Sequence, residues 1–231
     1  AQHSFGIPCD IERIQAIADE RNIFLLEDCA LTLGSSINGV SVGNFGDAAL
    51  FSTDHSKPLN TITGGCIYSR NERVIESLKS FQQLHGELPL RQKKAIWIRF
   101  RIEKLFCNPQ RQKWMAVIDI FYAAFKRLNF ITDPFLSDDY LSVSKKQHYP
   151  YPSKLPSFLA KIGCFEIGRW AEVSECRKDG LAALLDMLNK TDAQTHLPQI
   201  YSEPFVSIIP LRLVWSELNG SLRRQRLRRI I

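Results

Sequence analysis

The sequence predicts an α/β fold, in which helices pack against a β-sheet. In the first third of the chain, segments with helical periodicity alternate with short apolar runs. Charged residues or glycines stand at the ends of these runs, as they do at the ends of strands in α/β sheets. The chain has 231 residues and is 45% hydrophobic, which is enough to form one large domain or two small ones. In a sheet of this kind, ligands bind at the carboxyl ends of the strands.

The first predicted elements are a helix, a strand and a hairpin. Asp10 is a candidate N-cap for a helix over 11–18, in which apolar residues recur at helical spacing and form one stripe. The apolar run 23–26 predicts a strand that ends in Glu27-Asp28. Asn38-Gly39 is a dipeptide typical of two-residue hairpin turns, so a hairpin is expected there.

The next two predicted strands flank a polar loop. The apolar run 48–52 is followed by a loop that contains Lys57, and a second run at 66–69 follows Gly64-Gly65. A helix is expected to begin near Asn71. Because strand ends meet at one edge of the sheet, the loop that leads to Lys57 is expected to lie near the end of the 23–26 strand.

Residues 90–148 differ in character from the rest of the chain. Two apolar-rich segments, 96–106 and 114–125, lie on either side of Asn108-Pro109 and predict two helices. The range 91–146 holds twelve Lys/Arg and five Asp/Glu, a local net charge of +7. We favour a helical hairpin that packs on its own domain or on a partner subunit. The alternative is a surface that lies on an anionic membrane through basic flanks and tryptophans.

The remainder of the chain is predicted to be mainly helical. Helices are expected over 158–170 and 177–188, followed by a strand over 205–215. The arginine-rich end, 222–231, fits a partly amphipathic helix with an arginine face. The pI near 9 raises the question of nucleic acid, but no known recognition motif accompanies it, so we expect no nucleic-acid partner.

The cysteines and the termini indicate the compartment. The six cysteines show no CxxC pair and no Cys/His ligand spacing, so no metal site is expected. Cys29, Cys66 and Cys164 lie in apolar or glycine-flanked contexts typical of buried, reduced thiols. The N-terminus lacks a signal pattern, and no apolar run approaches the roughly 20 residues of a membrane span. We therefore expect a cytoplasmic protein.

Lys57 and Asp28 carry the most specific chemical hypothesis. An amine and a carboxylate at neighbouring strand ends can hold pyridoxal phosphate (PLP). The lysine forms a Schiff base with the aldehyde, and the carboxylate keeps the pyridine nitrogen protonated. Taken alone, a loop lysine is usually a solvated side chain, and an aspartate after a strand more often caps a helix. The two together, in these strand contexts, favour the cofactor.

Beyond these two residues, the segment 1–75 resembles the DegT-like nucleotide-sugar aminotransferases, which are PLP-dependent enzymes of fold type I. The matching elements occur in the expected order: His3-x-Phe-Gly-x-Pro-x-Asp10, Glu27-Asp-Cys-Ala30, the glycine series from Gly34 to Gly46, Asp47-Ala-Ala-x-Phe-Ser52, Lys57 and Gly64-Gly65. Residues 159–188, which include Arg177, are similar to a later helical segment of the family.

The resemblance implies a domain organisation. It implies a fold-type-I large-domain sheet with helices, like that of aspartate aminotransferase, of which residues 1–89 would be the PLP-binding part. Residues 90–148 would be a basic, apolar-rich helical insertion. Residues 149–231 would be helices and the start of a C-terminal small domain. The family's N-terminal and extreme C-terminal parts are expected to be missing from the chain.

The resemblance also implies an activity and site residues. Lys57 would be the Schiff-base lysine and the base that moves a proton during catalysis. Asp28 would pair with the pyridine nitrogen, and Ser52 would bind the cofactor phosphate. The family transfers an amino group from glutamate to a keto group of a nucleotide-linked sugar, in polysaccharide or secondary-metabolite biosynthesis. It does so as a homodimer that shares its sites between subunits.

The chain departs from the family pattern in three places. Leu31 stands where the family often has Gln or His near the cofactor's phenolic oxygen. Ile62-Thr63 replaces a Gly-Glu pair. Lys154 aligns with the arginine of an Asn-Tyr-Arg segment, and its ammonium group is a point charge that lacks the two-pronged hydrogen-bonding geometry of a guanidinium group. These departures leave an alternative open: a truncated or degenerate homologue that binds no cofactor and acts as a partner subunit.

Overall fold

The computed structural model describes residues 1–106, 111, 114–128, 152–190 and 198–210. The chain forms two compact units. The first contains the described residues of 1–52, 65–71 and 168–231, and the second contains those of 53–64 and 72–167.

Helices and strands alternate at the start of the chain, and helices dominate after residue 72. In chain order they are α1 (Ile11–Glu20), β1 (Leu26–Asp28), β2 (Ser36–Ile37), β3 (Val40–Ser41), β4 (Ala48–Ser52), β5 (Gly65–Tyr68), α2 (Glu72–Gln83), α3 (Leu90–Phe106), α4 (Met115–Arg127), α5 (Ser157–Gly168), α6 (Trp170–Asn189) and β6 (Val206–Ser207). Within the described ranges, none of these helices is both long and apolar enough to span a bilayer.

The six strands found in the described residues all belong to the first unit, where they form two three-stranded sheets. In the first sheet, the order is β1-β4-β5: β1 and β4 are parallel, and β5 is antiparallel to β4. The second sheet, β3-β2-β6, is antiparallel throughout. Asn38 and Gly39 connect β2 to β3 with φ of 50° and 79°, and positive φ at both positions is the geometry of a type I′ turn. The predicted hairpin is confirmed.

The core of the first unit contains two clusters of buried residues next to β1. In the first cluster, Leu25 packs with Ile11 and Ala18 of α1. A second cluster joins Cys29 to Val42 and Ala49. Of the predicted stripe on α1, Ile17 is instead 45% exposed. Asp10 precedes the helix as expected, but its side chain makes no capping hydrogen bond.

The second unit has a core of its own. Its buried residues are Ile62, Leu88, Ile96 and Leu159, and the half-buried side chains of Phe100, Phe158 and Ile162 pack against them. Ile96 and Leu159 come from α3 and α5, so these two helices enclose the turn that contains Ile62. The turn belongs to the loop that carries Lys57.

Several element boundaries differ from the sequence prediction. The strand expected over 23–26 begins only at Leu26. The amide of Leu25 donates instead to Asp47 Oδ2 at 2.8 Å. Its carbonyl accepts the Asp47 amide at 2.9 Å and, over a longer distance of 3.4 Å, the amide of Ala48 in β4, so this backbone is held mainly by the residue that precedes β4. Of the strand expected over 205–215, residues 205–210 are described, and within them the strand β6 covers only Val206–Ser207. The segments 211–215 and 222–231 and the Asn108-Pro109 turn lie outside the described residues.

The prediction of buried thiols is correct for only one of its three residues. Cys29 is buried, whereas Cys66 and Cys164 are exposed. Cys66 lies on β5, the outer strand of its sheet, and all four residues of β5 are exposed. The apolar, glycine-flanked sequence around Cys66 therefore predicted burial, but the position of β5 at the edge of the sheet leaves Cys66 exposed.

Candidate functional site

Asp28 is the last residue of β1, and its backbone is held from the N-terminal segment. Its amide donates to the carbonyl of Ala1 at 2.7 Å, and its carbonyl accepts the amide of His3 at 3.0 Å. The half-buried carboxylate accepts a hydrogen bond from the Ala30 amide at Oδ1, at 3.0 Å. Among the described residues this is the only hydrogen bond of the Asp28 carboxylate, so Oδ2 can accept a hydrogen bond from a donor such as a pyridinium N–H.

Ser52 is the last residue of β4, the strand beside β1. Asp28 pairs with Leu50 in the parallel register, so Ser52 lies two residues further along the neighbouring strand. The structure therefore brings Asp28 and Ser52 to the same edge of the sheet, where two strands end. Ser52 is half-buried and pairs with Gly65 of β5. A Cβ atom at position 65 would lie 2.8 Å from the Phe51 carbonyl, so a glycine is required for this pairing.

Lys57 lies in the second unit, in a loop closed by backbone hydrogen bonds. The Thr53 amide donates to the Gly64 carbonyl at 2.9 Å, and the Lys57 amide donates to Asp54 at 2.9 Å. The buried hydroxyls of Thr53 and Thr61 are 2.6 Å apart and fix the base of the loop. Lys57 is half-buried, and its amine has no hydrogen bond or ion pair within the described part of the chain. Such an amine is available for chemistry with an aldehyde.

The same loop contains Ile62, which has an uncommon backbone conformation. Its φ is +71°, although its β-branched side chain is 98% buried in the core of the second unit. Left-handed φ is costly for any residue with a Cβ atom and is typical of glycine. The departure Ile62-Thr63 therefore falls at a position whose geometry suits the glycine of the family pattern.

His55 lies in the Lys57 loop, and its ring is exposed. Nδ1 is 2.6 Å from Oδ1 of Asp54, which also accepts the His55 amide. The ring therefore interacts with its own loop, so we interpret His55 as a loop residue and not as an acid–base group.

Glu27 is the important residue whose role the sequence analysis missed. Its carboxylate is fully buried and accepts three backbone hydrogen bonds, from Gly43 to Oε2 at 2.8 Å and from Phe45 and Gly46 to Oε1 at 2.8 and 2.7 Å. The fourth partner is Nε2 of His3, at 3.2 Å from Oε2. Because the Cys9 amide donates to His3 Nδ1, Nε2 must carry the proton that points to Glu27.

Burial opposes the charge of Glu27, but the hydrogen bonds from His3 and the backbone amides outweigh it and lower the pKa of the carboxyl. Glu27 thus fixes the glycine-rich loop 43–46 to β1, directly beside Asp28. A signal in the sequence could have revealed it. Leu25 and Cys29 flank β1 and alternate with Glu27, and all three are buried, so an acid in that register requires buried partners.

The side chains of His3, Glu27 and Cys29 could in principle form a metal site, because their ligand atoms lie within 4.8 Å of one another. The hydrogen bonds argue for a different role. All four lone-pair directions of Glu27 are used by protein donors, and both nitrogens of His3 have partners. Burial and the nearby carboxylates raise the pKa of Cys29 to about 12, which keeps the thiol protonated. We interpret the cluster as a hydrogen-bonded support for β1.

The two later basic residues that the resemblance singles out are placed in different units. Arg177, on α6, donates from Nη1 to the carbonyl of Pro210 at 2.9 Å. Lys154 lies in the second unit, where its amide donates to the Gly86 carbonyl at 2.9 Å. Lys154 also forms an isolated parallel β-bridge with Glu87.

Comparison with known proteins identifies relatives of the N-terminal segment. Residues 1–104 match the sequence model of the DegT/DnrJ/EryC1/StrS aminotransferase family. The GDP-perosamine synthase of Vibrio cholerae is 37% identical over 76 residues, which are 33% of this chain and 21% of that protein. The UDP-N-acetyl-3-dehydro-alpha-D-glucosamine 3-aminotransferase of Acidithiobacillus ferrooxidans is 31% identical over 117 residues, 50% of this chain and 29% of that protein. The chain thus spans less than a third of the length of these two relatives.

A solved structure shows the same fold over nearly the whole chain. The GDP-4-keto-6-deoxy-D-mannose-3-dehydratase of E. coli, determined with bound hydrated PLP, aligns with a TM-score of 0.58 and 18% identity. The alignment covers 99% of this chain and 49% of the dehydratase. The predicted fold class, the α/β fold of PLP-dependent transferases of fold type I, is confirmed.

Proposed function

Since residues 1–104 match the sequence model of the DegT/DnrJ/EryC1/StrS aminotransferase family, we propose that this chain belongs to that family and is a PLP-dependent sugar aminotransferase or its catalytic core. It would transfer an amino group from glutamate to a keto group of a nucleotide-linked sugar, for polysaccharide or secondary-metabolite biosynthesis. The observation that carries the proposal is the placement of Asp28 and Ser52 at the ends of two neighbouring parallel strands, with Lys57 in the loop that follows.

The donor set fits PLP. When bound, this cofactor supplies an electron sink that stabilises negative charge on the reacting carbon. Asp28 offers a carboxylate oxygen to hold the ring nitrogen protonated, and Ser52 offers a hydroxyl that can donate to a phosphate oxygen. Lys57 offers an amine that can hold the aldehyde and then move a proton on the substrate. Backbone hydrogen bonds hold Asp28 within the first unit, and other backbone hydrogen bonds hold the Lys57 loop within the second unit.

The proposed substrates follow from the relatives. The similar proteins of V. cholerae and A. ferrooxidans carry the names of enzymes that act on GDP- and UDP-linked compounds. We therefore propose a nucleotide-linked keto sugar as acceptor, glutamate as donor and a homodimer as the active assembly. The five cysteines in the described residues are all free thiols, which supports a reducing compartment such as the cytoplasm.

The first experiment is the visible absorbance spectrum of the purified chain after incubation with PLP and gel filtration. We expect a retained band that is absent in Lys57→Ala and retained in Lys79→Ala, which removes an exposed lysine of α2. Borohydride reduction followed by peptide mass spectrometry should place the cofactor on the peptide that contains Lys57. A modification distributed over several surface lysines would contradict the assignment.

The second experiment separates catalysis from cofactor binding. Glutamate added to the loaded protein should abolish the band and release 2-oxoglutarate in a single turnover, and sedimentation velocity should show a dimer. Asp28→Asn should retain the covalent band and slow the glutamate half-reaction by orders of magnitude, because an amide does not keep the ring nitrogen protonated.

A second candidate function is a non-catalytic homologue that serves as a partner subunit. Leu31 favours it, because an apolar side chain supplies no hydrogen bond where the family often has Gln or His. A wild-type chain that is folded by circular dichroism but retains no cofactor band would establish this candidate and exclude catalysis by this chain.

A further inference from the structure

Helix α4 exposes an apolar stripe to solvent. Its apolar residues recur at spacings of three and four, which places them on one face of a helix: Val117, Ile120, Phe121, Phe125 and, just beyond the helix end, Leu128. Ile120 is 70% exposed, Phe121 60% and Leu128 64%. An amphipathic helix of a globular protein normally buries this face, and contiguous exposed apolar surface marks an interaction site.

On the side of α4 opposite the stripe, Asp119 lies near the second unit's own helix α3. Asp119 Oδ1 lies 3.6 Å from Nη1 of Arg99, whose Nε donates to Glu103 Oε1 at 2.7 Å. Asp119 and Glu103 are the acidic residues of the described part of α3 and α4, and both are paired with Arg99. Within the described parts of these two helices, no further acidic residue adjoins the apolar stripe.

Basic and aromatic residues flank the stripe. Arg111 precedes α4 and Arg127 ends it, and both are exposed. The Trp114 side chain, at the start of the helix, is 54% exposed. An apolar face with basic ends and an aromatic residue at one of them is the pattern of helices that lie in the interface of an anionic bilayer.

We infer that α4 is a docking surface for an anionic lipid membrane. The helix would lie parallel to the bilayer plane, with its apolar stripe below the headgroups and its basic ends at the phosphates. At 13 residues α4 is about 20 Å long, which suits this orientation. The inference does not depend on the proposed enzymatic function.

A second copy of the chain fits the stripe less well. A face about 20 Å long and about 10 Å wide offers about 200 Å² per partner, well below the roughly 800 Å² of a stable interface. Two antiparallel copies of α4 would also bring Arg127 of one close to Arg111 of the other, so like charges would meet at both ends. Nucleic acid would use the basic ends but would leave the aliphatic residues in water.

The test is co-sedimentation of the full chain with vesicles. We expect binding to phosphatidylcholine vesicles that contain 30% phosphatidylserine, weak binding to pure phosphatidylcholine, and release from the anionic vesicles at about 0.5 M salt, where the Debye length is about 4 Å. Brominated lipid should quench tryptophan emission of the wild type but not of Trp114→Phe. Equal binding to both vesicle types, or none, would overturn the inference.

Two variants and their matched controls separate the apolar and basic contributions. Ile120→Gln/Phe121→Gln should lower the partition coefficient by more than tenfold, and Arg111→Gln/Arg127→Gln by about thirtyfold. The controls change apolar and basic residues elsewhere: Phe165→Gln/Ile167→Gln on α5, 64% and 61% exposed, and the exposed pair Arg13→Gln/Lys79→Gln. Controls that lose binding equally would contradict the inference. So would an oligomer in free solution that only Ile120→Gln/Phe121→Gln dissociates, since it would assign α4 to contacts between copies.

Discussion

At the residue scale, the Glu27 carboxylate determines how the site edge of the first unit is built. A buried charge is tolerated only when its hydrogen-bonding capacity is met, and Glu27 accepts four hydrogen bonds. The partners come from His3 and from the loop 43–46, which lie 16 to 24 residues away in the sequence. Glu27 therefore holds together three segments that meet at the strand ending in Asp28.

We expect Glu27→Gln to lower the free energy of unfolding by about 3 kcal/mol, because the amide group would point a donor at N–H groups that need an acceptor. Urea unfolding followed by circular dichroism measures the change. Glu20→Gln, which replaces an exposed glutamate at the end of α1, is the matched control and should change stability by less than about 0.5 kcal/mol. A loss of similar size in both variants would show that Glu27 has no special role.

The same residue predicts a pH dependence. Its folded-state pKa lies below the ordinary value of 4.5, so its stabilisation is present above pH 4.5 and is lost as the pH falls through the lowered pKa. Wild-type stability should thus decline more steeply in acid than that of Glu27→Gln. Parallel acid-unfolding curves for the two proteins would contradict this expectation.

Ile62 predicts an inversion of the usual order of alanine and glycine. Ile62→Ala and Ile62→Gly both remove a buried side chain and should both destabilise, by about 2–5 kcal/mol. At φ of +71°, however, glycine avoids a strain of about 1–2 kcal/mol that alanine keeps, so the glycine variant should be the more stable one. At Leu159, in helix α5, the alanine variant should be the more stable by about 1 kcal/mol. The same order at both positions would rule out the left-handed conformation of Ile62.

At this scale, sequence reasoning succeeded where chemistry and chain order are local. Asp28, Ser52 and Lys57 could be proposed because each lies at or after the end of an apolar run, and the first two do end neighbouring strands. Their roles toward a cofactor remain a prediction. Glu27 could not be recognised in the same way, because its four partners become neighbours only when the chain folds.

At the scale of elements, Ser35 connects distant segments of the first unit. It links the N-terminal turn to the residues that follow β6. Its buried hydroxyl donates to the Gly6 carbonyl at 2.7 Å and accepts the Ile209 amide at 2.8 Å. The two partners are separated by about 200 residues of sequence, so one hydroxyl links both ends of the described chain of this unit. Ile209 follows β6, which pairs with β2.

We expect Ser35→Ala to destabilise the protein by about 2 kcal/mol, because it leaves a buried carbonyl and a buried amide without partners. Ser41→Ala, which changes an exposed serine of β3 in the same sheet, serves as control and should be nearly neutral. Urea unfolding gives both values, and the m-values should stay the same. A neutral Ser35→Ala would mean that water or a shifted strand replaces the hydroxyl.

Local turn chemistry predicted elements better than hydrophobicity did. Asn38-Gly39 gave the hairpin because positive φ at both positions is intrinsic to those residue types. The apolar run 23–26 predicted a strand that starts too early, because hydrogen bonds between Leu25 and Asp47 decide where β1 begins. Helix α6 begins at Trp170 and not near Arg177, which extends it by two turns beyond the expected start.

At the scale of the whole molecule, the free thiols should report folding. With a pKa of about 12, fewer than about one in a thousand Cys29 thiols are ionised at pH 8, and the residue is buried. Iodoacetamide followed by mass spectrometry should modify the exposed Cys164 and Cys176 rapidly and Cys29 only as the first unit unfolds. In concentrated urea all three should react alike. Rapid labelling of Cys29 under native conditions would contradict its burial.

The exposed outer strand β5 has a practical consequence. Strand β5 ends the order β1-β4-β5 among the described residues, and its four residues, Gly65 to Tyr68, are all accessible. A strand with a free hydrogen-bonding side can template another, and cross-β association follows when nothing repels the incoming chain. The net charge of +6 supplies that repulsion, and salt weakens it. Colloidal stability of this protein should therefore fall as ionic strength rises, and concentrated stocks are best kept in dilute buffer.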